Sequence, residues 1–167
     1  MRLDARYPAP LALLTAGIVA ASVALTGPAL AVAPPDSVVF INEIHYDNAG
    51  TDAGEAIEIA APAGTDLSNW SLVLYNGLGG ASYDVDVLTG VVPGAPLTFG
   101  TVPFSYPSNG IQNGSPDGIA LVGPDGVEQF LSYEGTFAAT NGPAVGLTST
   151  DIGAAEPAPR PWATPLR

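Results

Sequence analysis

Turn-forming residues recur along this chain so regularly that it reads as a series of short strands. Glycine and proline number 20 and 17 in 167 residues. Together with Asn/Asp clusters they break the sequence roughly every 8–12 residues, the rhythm of β-sandwiches and β-barrels. Between the breaks, apolar residues alternate with polar ones or stand together as β-branched runs, and no segment beyond residue 31 carries a convincing helical period. The expectation is an all-β fold of two packed antiparallel sheets.

The stretch from Val38 to Ile59 shows the pattern in full. Two apolar runs, Val38–Ile41 and Ala56–Ile59, flank the turn-rich and acidic segment Asp47–Gly54, so it predicts strand, acidic loop, strand. Asn42 and Glu43 sit side by side in the first strand, which leaves one of them facing the core side if the alternation is unbroken. Further on, Trp70, Leu72 and Leu74 share one strand face and Ser71, Val73 and Tyr75 the other. Asn76-Gly77 then signals a hairpin. The next strand is expected over Tyr83–Leu88, with Tyr83, Val85 and Val87 inward and Asp84 and Asp86 outward. Leu97–Phe99 reads as a short strand in a proline-punctuated region. Residues 118–135 read as a hairpin turning at Pro124-Asp125-Gly126.

Charge excludes several functions. The only basic side chains besides His45 are Arg2, Arg6, Arg160 and Arg167, whereas fifteen of the sixteen acids lie between Tyr7 and Pro159. Nucleic-acid affinity comes from Lys and Arg replacing counterions, so direct binding of DNA or RNA is not expected. With no cysteine there is no disulfide framework, thiolate metal site or thiol nucleophile.

The first residues form an address label: arginines at 2 and 6, an apolar run over Leu11–Leu25, a Gly27-Pro28 break, and Ala29-Leu30-Ala31 as a cleavage site. The run is shorter than the about 20 apolar residues that span a bilayer. Residues 1–31 are therefore expected to be a signal peptide and 32–36 an extended linker. The domain is expected over 37–153, with a Pro-rich tail over 154–167. The mature chain is expected outside the cytoplasm, with no membrane contact after cleavage.

Three sets of side chains could carry chemistry. Asp47, Asp52 and Glu55, with Glu58 nearby, offer hard oxygens at loop spacing that suits Ca²⁺, although the D-x-[DN]-x-[DN]-G pattern is absent; the alternative is a set of solvated loop acids. Glu43 and His45, two apart in a strand, would share a face as a general-base pair does. No nucleophile, cation or ligand cluster accompanies them, so a structural histidine is the simpler reading, and no catalytic residue is assigned. Phe104 and Tyr106, placed in a Pro-rich loop, are the aromatics singled out for contact with a protein or a glycan.

The spaced motifs F-I-N-E-I-H-Y at 40–46, E-A-I-E-I at 55–59, D-L-S-N-W-S-L at 66–72 and the hairpin over 118–133 resemble a lamin tail domain of the bacterial secreted kind. Residues 104–122, Y-E-G at 133–135 and T-S-T-D-I-G at 148–153 resemble the subclass found with extracellular nuclease domains. The resemblance covers about residues 38–153. It implies an immunoglobulin-like β-sandwich and an accessory module without catalysis of its own, often attached to a hydrolytic domain; no cofactor is assigned beyond the candidate Ca²⁺, and the expected partner is an unidentified protein or cell-surface ligand. Past Ile152 the family's closing apolar strand is missing from the sequence, and only Trp162–Pro165 is similar to its exit. Two further readings stand beside this one: the amino-terminal piece of a secreted nuclease or other hydrolase, and a Ca²⁺-dependent surface adhesion domain.

Overall fold

The computed structural model describes residues 39–156; the expected signal peptide, the linker and the Trp162 exit lie outside them. Among the described residues eight strands form: β1 (Phe40–His45), β2 (Ala56–Pro62), β3 (Ser71–Asn76), β4 (Ala81–Val87), β5 (Phe99–Ser105), β6 (Asp117–Gly123), β7 (Gly126–Tyr133) and β8 (Thr150–Asp151). They make a three-stranded sheet in the order β1-β2-β5 and a five-stranded sheet in the order β4-β3-β6-β7-β8. All neighbours are antiparallel except β7 and β8. The expected all-β architecture of two sheets is the one the chain adopts.

Period-two alternation explains how the sheets face each other. Ile41, Ile57 and Ile59 of one sheet and Leu72, Leu74, Ile119 and Leu121 of the other form the main core, with Trp70 beside them. The opposite face of the five-stranded sheet carries Val73, Tyr75, Ala120 and Phe130, which are buried under Phe137, Ala139 and Ala144 of the segment that follows β7. Tyr75, Phe130 and Phe137 meet edge-on or tilted, with centroids 5.2 to 6.5 Å apart. The T-S-T-D-I-G run supplies β8, which pairs in parallel with only Leu131 and Ser132.

Two β-bulges decide which residues look outward. In β1 the register slips between Ile41 and Glu43. Ile41 and Ile44 can then both pack on the core, and neither Asn42 nor Glu43 is forced inward. In β4 the extra residue is Tyr83, because Leu74 pairs with Asp84 while Tyr75 pairs with Ser82. Tyr83 packs against the main core as expected, but the facing of the residues after it is reversed. Asp84 and Asp86 lie on the side of Leu74 and Leu72, whereas Val85 and Val87, opposite Val73 and Ser71, are 56% and 69% exposed. A position at the sheet edge lets the aspartates reach solvent at the rim. The strand expected at Leu97 starts two residues later, at Phe99, since Leu97 adopts a left-handed φ of 65° in the preceding turn.

On the outer face of the three-stranded sheet, the register sets Glu43 beside Glu58 and Pro103, Phe40 beside Ala60 and Thr101, and Pro62 beside Phe99. The rings of Phe40 and Phe99 meet diagonally, 6.1 Å apart.

Candidate functional site

The loops at residues 46–55, 77–80 and 106–116 join the strands at one end of the sandwich. Buried carboxylates fasten them together. Glu55 is fully buried; one oxygen accepts the amide of Gly110 at 2.9 Å and the other that of Ile111 at 3.2 Å. Its own carbonyl accepts the amide of Tyr106 at 2.9 Å. Asp117, also buried, accepts the amides of Gly77 at 2.8 Å and Gly114 at 2.7 Å. Asp52 accepts the Asn48 amide and the Asn113 side-chain amide, both at 3.0 Å, and its carbonyl accepts the Ser108 hydroxyl.

This corrects the view of Asp52 and Glu55 as solvated acids. Their oxygens point at amide donors rather than at a common centre. Asp47 reaches only the Asn113 amide, at 3.3 Å. Among the described residues no three carboxylates or imidazoles gather into a set that could hold a metal ion. Between the fastened loops lies an open groove of about 300 Å³, lined chiefly by Asp52, Asn76, Gln112, Asn113 and Asp117 around Ile111.

His45 and Glu43 share the outer face of β1, as expected, but the imidazole has other partners. Its Nδ1 lies 3.2 Å from Glu156, and its Nε2 lies 3.3 Å from the Asn48 side-chain amide. A carboxylate on one nitrogen and an amide donor on the other suit the tautomer that carries its proton on Nδ1. Glu156 also accepts the amides of Tyr46 at 2.8 Å and Asp47 at 3.0 Å. The Tyr46 hydroxyl accepts the Glu156 amide and donates to Glu134. Sequence reasoning placed Glu156 in the tail and gave it no role, and no local signal marks a contact 110 residues away.

The Glu43 carboxyl is raised above its ordinary range by desolvation first, then by Glu58 and Glu156, with His45 acting in the opposite direction. The folded protein therefore holds this proton more tightly than the unfolded chain, and ionising the group favours unfolding. That penalty is absent below the ordinary carboxylate range and grows as pH rises through the raised value. Glu43→Gln is expected to melt higher than the parent at pH 7. The advantage should stay within about 1 kcal/mol because the group remains largely in water, and it should vanish toward about pH 4. Melting curves across that range check it.

Phe104 and Tyr106 do not stand free for contact. Phe104 belongs to β5 and Tyr106 follows it directly, and both pack half-buried against the main core. The Tyr106 hydroxyl is buried with no partner at bonding geometry. Burial first, and the facing Asp86 carboxylate second, push its pKa well above the usual phenol range. Tyr83, whose hydroxyl accepts the Gln112 amide at 2.8 Å, is pushed up to about 12, chiefly by burial. Tyr133 stacks on Tyr46 with centroids 3.7 Å apart and donates to the Gln112 carbonyl. These phenols brace the loop end and stay protonated at neutral pH.

Compared with protein-family models, with curated proteins and with solved structures, the chain matches none of them.

Proposed function

We propose that this chain is a secreted, non-catalytic interaction module of the bacterial lamin-tail kind that works beside a nuclease or other hydrolase. The observation that carries the reading is the employment of its ionisable groups. Asp52, Glu55, Asp117 and Glu156 each accept hydrogen bonds that tie separate segments together. Both nitrogens of His45 face partners that hold the ring in place. A general base needs a free lone pair within reach of substrate, and that arrangement serves architecture instead. The two-sheet fold and the spaced motifs at 40–46, 66–72 and 118–133 agree with an accessory domain.

Purified chain lacking residues 1–31 is expected to leave supercoiled plasmid intact in Mg²⁺ or Ca²⁺. Nicking that co-purifies with the chain and disappears in a folded Glu43→Gln/His45→Ala variant would overturn the reading. The address is tested separately: secreted product should begin at Val32 by mass spectrometry, and retention of residues 1–31 in a cell-associated form would contradict export with cleavage.

A further inference from the structure

The outer face of the three-stranded sheet has two zones of opposite chemistry. At one end Glu43 and Glu58 stand side by side, with Glu156 within electrostatic reach of Glu43. Asn42 donates to Glu58 at 2.6 Å, which fixes that carboxylate on the face. At the other end Phe40, Pro62 and Phe99 form an apolar zone around the buried Ala60, with Phe99 55% exposed. The two zones lie two to four residues apart along β2, about 7–13 Å at strand rise. By contrast, the centre of the outer face of the five-stranded sheet, around Val73, Tyr75, Ala120 and Phe130, is covered by the segment after β7, and only its β4 edge leaves Val85 and Val87 exposed.

We propose that this face docks an extended segment of a partner protein in which a Lys or Arg stands about two to four residues from an aromatic side chain. The proposal rests on the reading of the chain as an interaction module and names its surface and partner.

Charge complementarity selects the occupant. The described body holds every acid except Asp4 and Asp36 and none of the four arginines, so it repels phosphate-rich nucleic acids and anionic lipid surfaces and attracts a cationic segment. A metal ion is a poor alternative, since no three ligating groups converge among the described residues. A guanidinium or ammonium group needs only the paired carboxylates of Glu43 and Glu58, and it relieves the repulsion between them. An uncharged sugar stacked on Phe99 would leave that repulsion in place. The partner's aromatic ring covers Phe40 and Phe99, which gives the contact its apolar component.

The test uses the full chain and a capped synthetic peptide with Arg and Trp three residues apart, followed by fluorescence anisotropy. Saturable binding that weakens as salt rises is expected. The same peptide with Glu in place of Arg should not bind. Phe99→Ser and the pair Glu43→Gln/Glu58→Gln should each weaken binding about tenfold, a change of about 1.4 kcal/mol, with melting curves confirming that the variants are folded. Absence of binding, equal binding of the Glu peptide, or binding indifferent to these substitutions overturns the proposal. So does a self-associated chain that Phe99→Ser returns to monomer, which would make a second copy the occupant. Binding that emerges only after Arg160→Ser/Trp162→Ser would make the chain's own tail the occupant and overturns it as well. Plasmid nicking would remove the non-catalytic reading without touching this result, so the two can fail separately.

Discussion

Glu55→Ala is expected to remove roughly 3–5 kcal/mol of folding free energy. The carboxylate is fully buried, and each of its oxygens accepts a backbone amide, from Gly110 and from Ile111. Hydrogen bonds to a charged acceptor contribute about 1.5–3 kcal/mol each, and a buried donor left without a partner costs about 1–3 kcal/mol. Alanine leaves the buried Ile111 amide without a partner, whereas the Gly110 amide keeps the Pro107 carbonyl at 2.8 Å. Water entering from the neighbouring groove can recover part of the loss, which sets the lower end of the range. Against a typical stability of about 5–15 kcal/mol, the variant would be near the limit of folding at 37 °C. Glu55→Gln keeps one good acceptor and should lose only about 1–2 kcal/mol. Asp47→Asn, whose single bond to Asn113 is long and exposed, should be close to neutral. Urea unfolding of the three variants checks the order. A loss below about 1 kcal/mol for Glu55→Ala would show that the amides find other partners and that the carboxylate is not what fastens the 106–116 loop.

The same residue shows how far the sequence could be read. Alternation and turn chemistry located the strands around Ile41, Ile57, Leu72 and Ile119 because those signals are local. The hairpin at Pro124–Gly126 was legible for the same reason, with Gly126 at a φ of 128° where the turn needs it. What escaped depends on distant partners. The bulge at Asn42 and Glu43 resolves a conflict that alternation exposes, but nothing nearby says that a bulge is the answer. The facing of Val85 and Val87 turns on one extra residue, Tyr83, and a slip of one position moves every later side chain to the other face.

Burial of Asp52 and Glu55 was missed because acids in a turn-rich loop usually face water. Composition carries a clue to it. Among residues 39–156 there is no Lys or Arg. Any carboxylate buried there must be satisfied by backbone amides, side-chain amides, hydroxyls or the one imidazole. An irregular stretch rich in Gly and Asn, such as 108–114, is where unpaired backbone amides are available. The link from Glu55 to Gly110 and Ile111 follows that logic, although its partners span 55 and 56 positions. Glu156 obeys it too, by taking the two amides that follow His45.

Gly77→Ala should be a severely damaging change of a single methyl group at this end of the sandwich. A Cβ at Gly77 would stand 2.0 Å from the Pro116 carbonyl oxygen and 2.9 Å from the Phe137 ring. The oxygen belongs to the backbone, and that backbone has little room to yield. Asp117, the next residue, is held by the amides of Gly77 and Gly114 and opens β6, while the Ser115 hydroxyl donates to the Glu134 carbonyl at 3.0 Å. Relief of the clash must therefore displace the start of β6 or the 77–80 turn, breaking the Asp117 contacts that join that turn to the 106–116 loop. Overpacking alone costs about 1–3 kcal/mol, and losing one charge-assisted bond adds about 1.5–3 kcal/mol, so a total on the order of 3–5 kcal/mol is expected. Gly79 is the matched control. It lies in the same turn with no atom within 4 Å of an added Cβ, so Gly79→Ala should be neutral or stabilising by up to about 1 kcal/mol. Hydrogen exchange adds a local readout: in Gly77→Ala the Gly114 amide should lose protection well before the amides of β3 and β6. Equal melting temperatures for the two variants would mean that the 77–80 turn is free to move away from Pro116, and the tie between this hairpin and the groove loop would then be no more than a close approach.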